Sequence, residues 1–220
     1  MYFKDISLII LNYDRANFID RALRSCTDQV LFNKKSEILL LDDGSTDNSI
    51  AIARSQKIPN LRIIKNNKNK GIGFSSNRAL EKIKGEFFIR VDSDDFINKH
   101  ACEMMSSILI ENKDIAYVCC DHYKVDSKGL VIEKVKLNTI SKVKSHGAGI
   151  MFRKTAVKEV GGYNKNLKIC EDYDLITRLN KKYNGFYLPV PLYRYFKHEK
   201  NISNKKGRKL IISKLKKNEI

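Results

Sequence analysis

Glu37-Ile38-Leu39-Leu40-Leu41-Asp42-Asp43-Gly44-Ser45 is a short apolar run that breaks without transition into two acids, a glycine and a helix-capping residue. Such a run is too short for a helix, and its lack of polar alternation predicts a strand covered on both faces. Ser45 or Thr46 is placed to cap a helix predicted over Ser45–Gln56. The same grammar extends in both directions. Upstream, Ser7–Leu11 is a second buried-strand pattern, and Ala16–Asp28 follows with Phe18, Ile19, Ala22, Leu23 and Cys26 at helical spacing. Downstream come a strand at Leu61–Ile64, a helix from about Phe74 to Ile83 and a strand at Phe87–Val91. Strand and helix alternating at this period predict a mostly parallel sheet with helices on its faces.

Beyond Val91 the pattern changes. A helix is predicted over Ala101–Glu111, then strands Ile115–Val125 and Leu130–Leu137 around the turn Ser127-Lys128-Gly129, which together form an antiparallel hairpin. Gly147–Phe152 reads as a further strand and Glu171–Tyr183 as an amphipathic helix, while Pro189 and Pro191 mark extended Phe186–Phe196 as an edge. At 220 residues the chain suits one well-filled core. The expected fold is therefore a single α/β domain over residues 1–203, with a Rossmann-like N-terminal half, a mixed C-terminal half and a basic tail over 204–220.

Lys and Arg outnumber Asp and Glu by 42 to 25, a net charge of +17, which favours polyanionic partners. Nine of these cations lie between Lys197 and Ile220, against two Glu. A nucleic-acid reader would interleave cations with exposed aromatics or carry a recognisable binding module; neither occurs, and no nucleic-acid partner is expected. Nothing approaches the roughly 20 apolar residues of a membrane span, and Met1–Ser7 is too polar and short for a signal peptide. A cytoplasmic protein is expected. The scattered Cys26, Cys102, Cys119, Cys120 and Cys170 fit reduced, buried thiols.

Ligands of open α/β sheets bind beyond the carboxyl ends of the strands. Three polar clusters stand there: Asn12-Tyr13-Asp14, Asp42-Asp43-Gly44-Ser45 and Asp92-Ser93-Asp94-Asp95. Alternation along an extended chain puts Asp92 and Asp94 on one face, where two carboxylates repel unless a cation or a proton neutralises them. Hard oxygen ligands suit Mg2+ or Mn2+, although acids in such a position also cap helices or line solvated loops. The turn at Asp42–Ser45 accounts for Gly44 and the cap but not for two adjacent acids; a carboxylate there can accept from a base N–H or a ribose hydroxyl. Glu171-Asp172 opens a helix on which Asp172 shares a face with Leu175, Ile176 and Leu179, so it should point into the body, kept ionised by the helix N-terminus. Gly71-Ile72-Gly73 lacks the third glycine of a dinucleotide fingerprint and follows the third strand, which excludes that reading.

Taken together, these clusters resemble the family 2 inverting glycosyltransferases of GT-A fold, from about Asp5 to Ser203. Ser7–Arg15 is similar to the family's first strand and base-contacting turn, with Ser25 and Gln29 on the helix after it. Asp42–Ser45 resembles its second acidic motif, Asn69-Lys70-Gly71 its phosphate-side loop, and Asp92–Asp95 its metal motif. Val160-Gly161-Gly162-Tyr163 with Glu171-Asp172 looks like the acceptor-side signature, and Tyr193-Arg194-Tyr195 with His198 like the closing segment.

The resemblance implies a nucleotide-binding half (about 1–98) and an acceptor half (about 99–203). It places Leu11, Asn12, Tyr13, Asp43, Lys70, Asp92, Ser93 and Asp94 on a nucleotide-sugar, most simply a UDP-sugar. It makes Asp94, Asp92, Asp95 and His198 the ligands of Mn2+ or Mg2+, and Asp172, with Glu171 beside it, the base that deprotonates a hydroxyl of a glycan or lipid-linked acceptor. Leu11 stands where the family usually has proline, and Ser75-Ser76-Asn77 where it commonly has Ala-Arg-Asn. A nucleotidyltransferase would use similar paired acids but wants a glycine-rich basic loop near the first strand, which this chain lacks; a non-catalytic binder would not need the intact acids. Leu210, Ile211 and Leu215 among the tail's cations would let a helix lie on an anionic membrane surface, the cytoplasmic face of the inner membrane, or form a solvated terminal helix.

Overall fold

In the computed structural model, residues 5–30, 36–137, 149–199, 201 and 207–217 are described. The first half alternates as expected: β1 (Ile6–Asn12), α1 (Ile19–Thr27), β2 (Glu37–Asp42), α2 (Ser49–Ser55), β3 (Leu61–Lys65), α3 (Ile72–Lys82) and β4 (Phe87–Asp92). There follow β5 (Phe96–Ile97), α4 (Ala101–Glu111), β6 (Ile115–Val125), β7 (Val131–Val135), β8 (Met151–Arg153), α5 (Lys154–Glu159), α6 (Glu171–Leu179), β9 (Asn184–Phe196) and α7 (Arg208–Lys216).

One sheet gathers all the strands in the order β3-β2-β1-β4-β8-β6-β9-β5, with β7 beside β6. β3, β2, β1 and β4 are parallel, in a register that pairs Asn12 with Asp42 and Leu11 with Asp92, so the acidic ends of three strands finish together. Alternation divides each strand between two cores. Ile6, Leu8, Ile10, Ile38 and Leu40 meet α1, α2 and α4 through Leu23, Ala53 and Met105. Ile9, Leu39 and Leu41 meet α3, α5 and α6 through Leu80, Val157 and Ile176. Burial on both faces explains why these strands read as unbroken apolar runs.

The mixed half is built on β8, antiparallel to both β4 and β6, and on β9, parallel to β6. The β6–β7 hairpin forms as predicted. Several boundaries differ from expectation. α1 begins at Ile19 because Arg15–Phe18 closes a separate turn, and α2 begins at Ser49 because Ser45 is bonded to Asp42 instead of capping a helix. The strand expected over Gly147–Phe152 is β8 at Met151–Arg153, its first two residues lying outside the described set. Pro189 and Pro191 stand where β9 has β6 beside it and the register shifts around Asp121, but the strand is not an edge throughout: farther on, Phe96 and Ile97 pair with Arg194 and Tyr193. Ser25 and Gln29 tie α1 to this region, Ser25 accepting from the Ile97 amide and Gln29 bonding both the Asn98 carbonyl and the Cys102 amide.

The five cysteines are buried. Among the described residues, no helix is long and apolar enough to cross a membrane. Residues 204–206 and 218–220 of the tail lie outside the described set; the rest forms α7, whose Leu215 is buried against Leu167, Ile169, Cys170 and Tyr173, with Ile211 and Ile212 partly covered there. Leu210 faces away, 61% exposed.

α3 is joined to the C-terminal half through Asn77, which donates to the Tyr163 carbonyl and accepts from its amide. Gly162 sits against this pair at φ +70°, and a Cβ there would fall 2.5 Å from Asn77 Oδ1. Gly162→Ala is expected to cost about 2 kcal/mol and lower Tm by about 4–8 °C in a thermal melt.

Candidate functional site

The flush ends of β1, β2 and β4 form the floor of the site. Asn12 is turned inward: its side-chain amide donates to Asp42 Oδ1 (2.8 Å), Ser45 Oγ (3.1 Å) and Ser49 Oγ (2.8 Å). Its side-chain amide therefore fastens the β1 and β2 turns together. Asp43 is likewise engaged within the chain. One of its oxygens accepts from Asn66 Nδ2 (2.7 Å) and the Lys70 amide (2.9 Å), and the other from the Gly71 amide (2.9 Å). Buried and occupied in this way, it shapes the 66–71 loop. Lys70 directs its ammonium over the Phe74 ring. Tyr13, by contrast, is 43% exposed, and Leu11 is half-buried beside it.

The Asp92–Asp95 turn sends its acids in different directions. Asp95 is buried; it accepts from Tyr193 Oη (2.8 Å) and from the Phe196 amide (2.7 Å). Burial, together with Asp94 and Asp92 nearby, raises its pKa well above the ordinary carboxylate value. It is a tether between β4 and β9, with both carboxylate oxygens engaged inside the chain. Ser93 is buried within the turn. Asp94 Oδ2 accepts from Arg15 Nε (3.1 Å) and lies 3.0 Å from His198 Nε2, so the end of β9 brings His198 to the acid 104 positions earlier. The His198 ring packs against Phe18 and Phe196, which also touch each other. A cavity of about 610 Å3 opens beside this group, lined by Asp14, Arg15, Asn17, Asp47, His198 and Glu199.

No group of three or more His, Cys, Asp or Glu side chains converges as a metal cage among the described residues. The donor types nonetheless fit Mn2+ or Mg2+: an oxygen of Asp94 and a nitrogen of His198 already share one point, and Asp92 keeps 33% of its side chain exposed.

Arg90 links this turn to the start of α6. It lies inside β4, its side chain only 4% exposed, and grips Asp172 with both terminal nitrogens (2.9 and 2.8 Å). The same guanidinium donates to Glu171 Oε1 (3.1 Å), and its Nε stands 3.4 Å from Asp92 Oδ1. Burial opposes its charge, but Asp172, then Asp92 and Glu171, more than offset that and hold it firmly protonated. Glu171 and Asp172 arrive here because Cys170, in the left-handed conformation (φ 66°), starts α6 and aims its first turn at β4. Burial, and then the neighbouring charge of Asp172, push the Glu171 carboxyl up to about 8, while Arg90 works against the rise. Burial likewise raises Asp92, with Asp94 and Asp172 adding to the effect.

The "Glycosyl transferase family 2" profile matches residues 7–161, and that of "Glycosyltransferase like family 2" residues 113–220. The chain belongs to glycosyltransferase family 2. Among curated relatives, it is 28% identical over 209 residues to chondroitin synthase of Escherichia coli, covering 91% of this chain and 30% of that protein. Hyaluronan synthase of Pasteurella multocida is also 28% identical, over 208 residues, covering 91% of this chain and 21% of the synthase. The chain thus spans less than a third of either. Residues 1–349 of S. aureus TarS, solved with UDP-GlcNAc, superpose with a TM-score of 0.78 at 23% identity over 91% of this chain and 61% of that one. The mannosyltransferase PcManGT of Pyrobaculum calidifontis, solved with GDP-Man and Mn2+, gives 0.71 at 15% identity over 91% and 59%. These likenesses establish the GT-A fold of this family 2 chain.

Arg15 and Tyr193 fall inside motifs read from the sequence but carry no individual role there, and Arg90 falls in none of them. Arg90 left a signal: a cation in the middle of Phe87-Phe88-Ile89-Arg90-Val91 is out of place in a buried strand unless acids meet it. A raised Glu171 pKa means that the native fold favours its protonated form. That contribution is complete below its ordinary value of 4.5 and is lost as pH climbs through about 8. Glu171→Gln should therefore flatten the alkaline side of the stability profile, raising Tm near about pH 9 by roughly 2–4 °C and leaving it little changed near about pH 5. Parallel melts of the two proteins check this.

Proposed function

We propose that this family 2 chain is an inverting glycosyltransferase that moves a sugar, a hexosyl or N-acetylhexosaminyl group, from a UDP-sugar to a hydroxyl of a glycan or lipid-linked acceptor in surface polysaccharide or glycoconjugate synthesis. One observation carries the reading: Arg90 joins Asp172, at the head of α6, to Asp92, at the end of β4, so a candidate base and a donor-side acid stand in one ion cluster. The named activities of the chondroitin and hyaluronan synthases and the UDP-GlcNAc held by TarS support it from outside.

In this mechanism an Asp172 oxygen takes the acceptor proton while the acceptor oxygen bonds to the anomeric carbon and the bond from that carbon to the diphosphate oxygen breaks on the opposite face. The configuration inverts. A carboxylate with a reference pKa of about 3.9 is a weak base for an alcohol, so the proton moves late, as the forming C–O bond acidifies the hydroxyl. Orientation matters more than basicity. Tyr13 offers an exposed ring for stacking on the base, and the loop braced by Asp43 brings Lys70 toward the phosphates. Asp94 and His198, with Asp92 beside them, would hold Mn2+ or Mg2+, whose positive charge offsets the negative charge gathering on the departing diphosphate.

The tail also belongs to this reading. Its cations and the outward Leu210 would rest on an anionic membrane that carries the acceptor, placing the protein peripherally on the cytoplasmic face.

Asp172→Asn should keep UDP binding and lose at least about 100-fold in transfer, and near-normal turnover would remove Asp172 as the base. A thermal-shift series with UDP-, GDP-, dTDP- and CDP-sugars, each with Mn2+ and with chelator, should show stabilisation by the UDP compounds only when metal is present. Equal shifts with chelator would rule out the cation, and a response to another nucleotide would reassign the donor.

A further inference from the structure

The mechanism gives Arg90 no duty, yet it is the most constrained charged group in the site. Three facts distinguish it from an ordinary buried ion pair. Its grip on Asp172 is bidentate, which fixes the plane of that carboxylate as well as its distance. Its Nε has no hydrogen-bond partner and stands 3.4 Å from Asp92, the acid nearest it on the donor side. The Tyr163 ring packs 5.9 Å from the guanidinium, and its hydroxyl is also buried without a hydrogen-bond partner. One flat, rigid cation thus touches the acceptor-side base through one edge and the donor side through the other.

We propose that Arg90 is a positioning residue that holds Asp172 in the one orientation from which it can take the acceptor proton, and that ties this orientation to occupancy of the donor side through Asp92. The proposal rests on the glycosyltransferase reading above. A guanidinium bound to both oxygens leaves each a free lone pair, and those pairs lie in the plane that Arg90 sets. Lysine would keep the charge but lose the plane, because an ammonium is a point donor. Asp92 Oδ1 lies 3.4 Å from Nε, so the guanidinium that sets this plane is also within reach of the donor-side acid.

The test is a double-mutant cycle on the full chain, using a nucleotide-sugar and an acceptor that the wild-type protein turns over. Arg90→Lys is expected to lower kcat by about 100-fold, the scale of a misplaced reacting group, with the donor KM within about threefold of wild type. In the Asp172→Asn background the same change should remove almost nothing further, because Arg90 acts through Asp172. Arg90→Gln serves as the second variant should the lysine form fail to fold, and a UDP-dependent thermal shift verifies folding of each protein. Normal kcat in Arg90→Lys, a fall confined to donor KM, or multiplicative losses in the double variant would each overturn the positioning role. Normal turnover in Asp172→Asn alone would instead sink the base assignment, so the two failures are distinct.

Discussion

A guanidinium almost sealed from water can sit in the middle of a sheet only if negative charge is brought to it. Arg90 imposes that condition on this chain. Asp92 lies two residues along the same strand, but Glu171 and Asp172 come from the far half of the sequence, and they reach β4 only if β8 pairs beside it and α6 packs across that face of the sheet. The ion cluster and the mixed architecture therefore require one another. Three carboxylates around one cation leave surplus negative charge, and burial together with the charge of Asp172 raises the Glu171 pKa.

The parallel half of the fold was legible because its signals are local. Strands buried on both faces show as apolar runs such as Ile38–Leu41, and helices between them show as spaced apolar residues such as Ile19, Ala22 and Leu23. What lies beyond local reach was harder. β5 is two residues long and exists because β9 passes beside it, while α5 is a short helix wedged between β8 and the Gly161-Gly162 turn. Neither has a pattern long enough to read.

The site was legible as a set of acids, and less so as a set of duties. Asn12, Asp43 and Asp95 belong to the same clusters as Tyr13, Asp92 and Asp94, and nothing in the residue types separates a carboxylate that braces a loop from one that opens toward a ligand. The separation is made by partners far along the chain: Gly71 and Asn66 for Asp43, Phe196 and Tyr193 for Asp95. The short distance between Asp94 and His198 shows the converse, since an expected neighbour 104 positions away does arrive.

Packing of α7 also redraws the boundary of the functional unit. Leu215, Ile211 and Ile212 form one wall of a small third core, and the opposite wall is the Leu167–Tyr173 segment that contains the left-handed Cys170 and delivers Asp172. A basic appendage by composition is thus a buttress by packing. Shortening the chain at residue 203 would strip the apolar backing from the turn that leads into Glu171 and Asp172, so a deletion there unsettles the ion cluster along with removing charge.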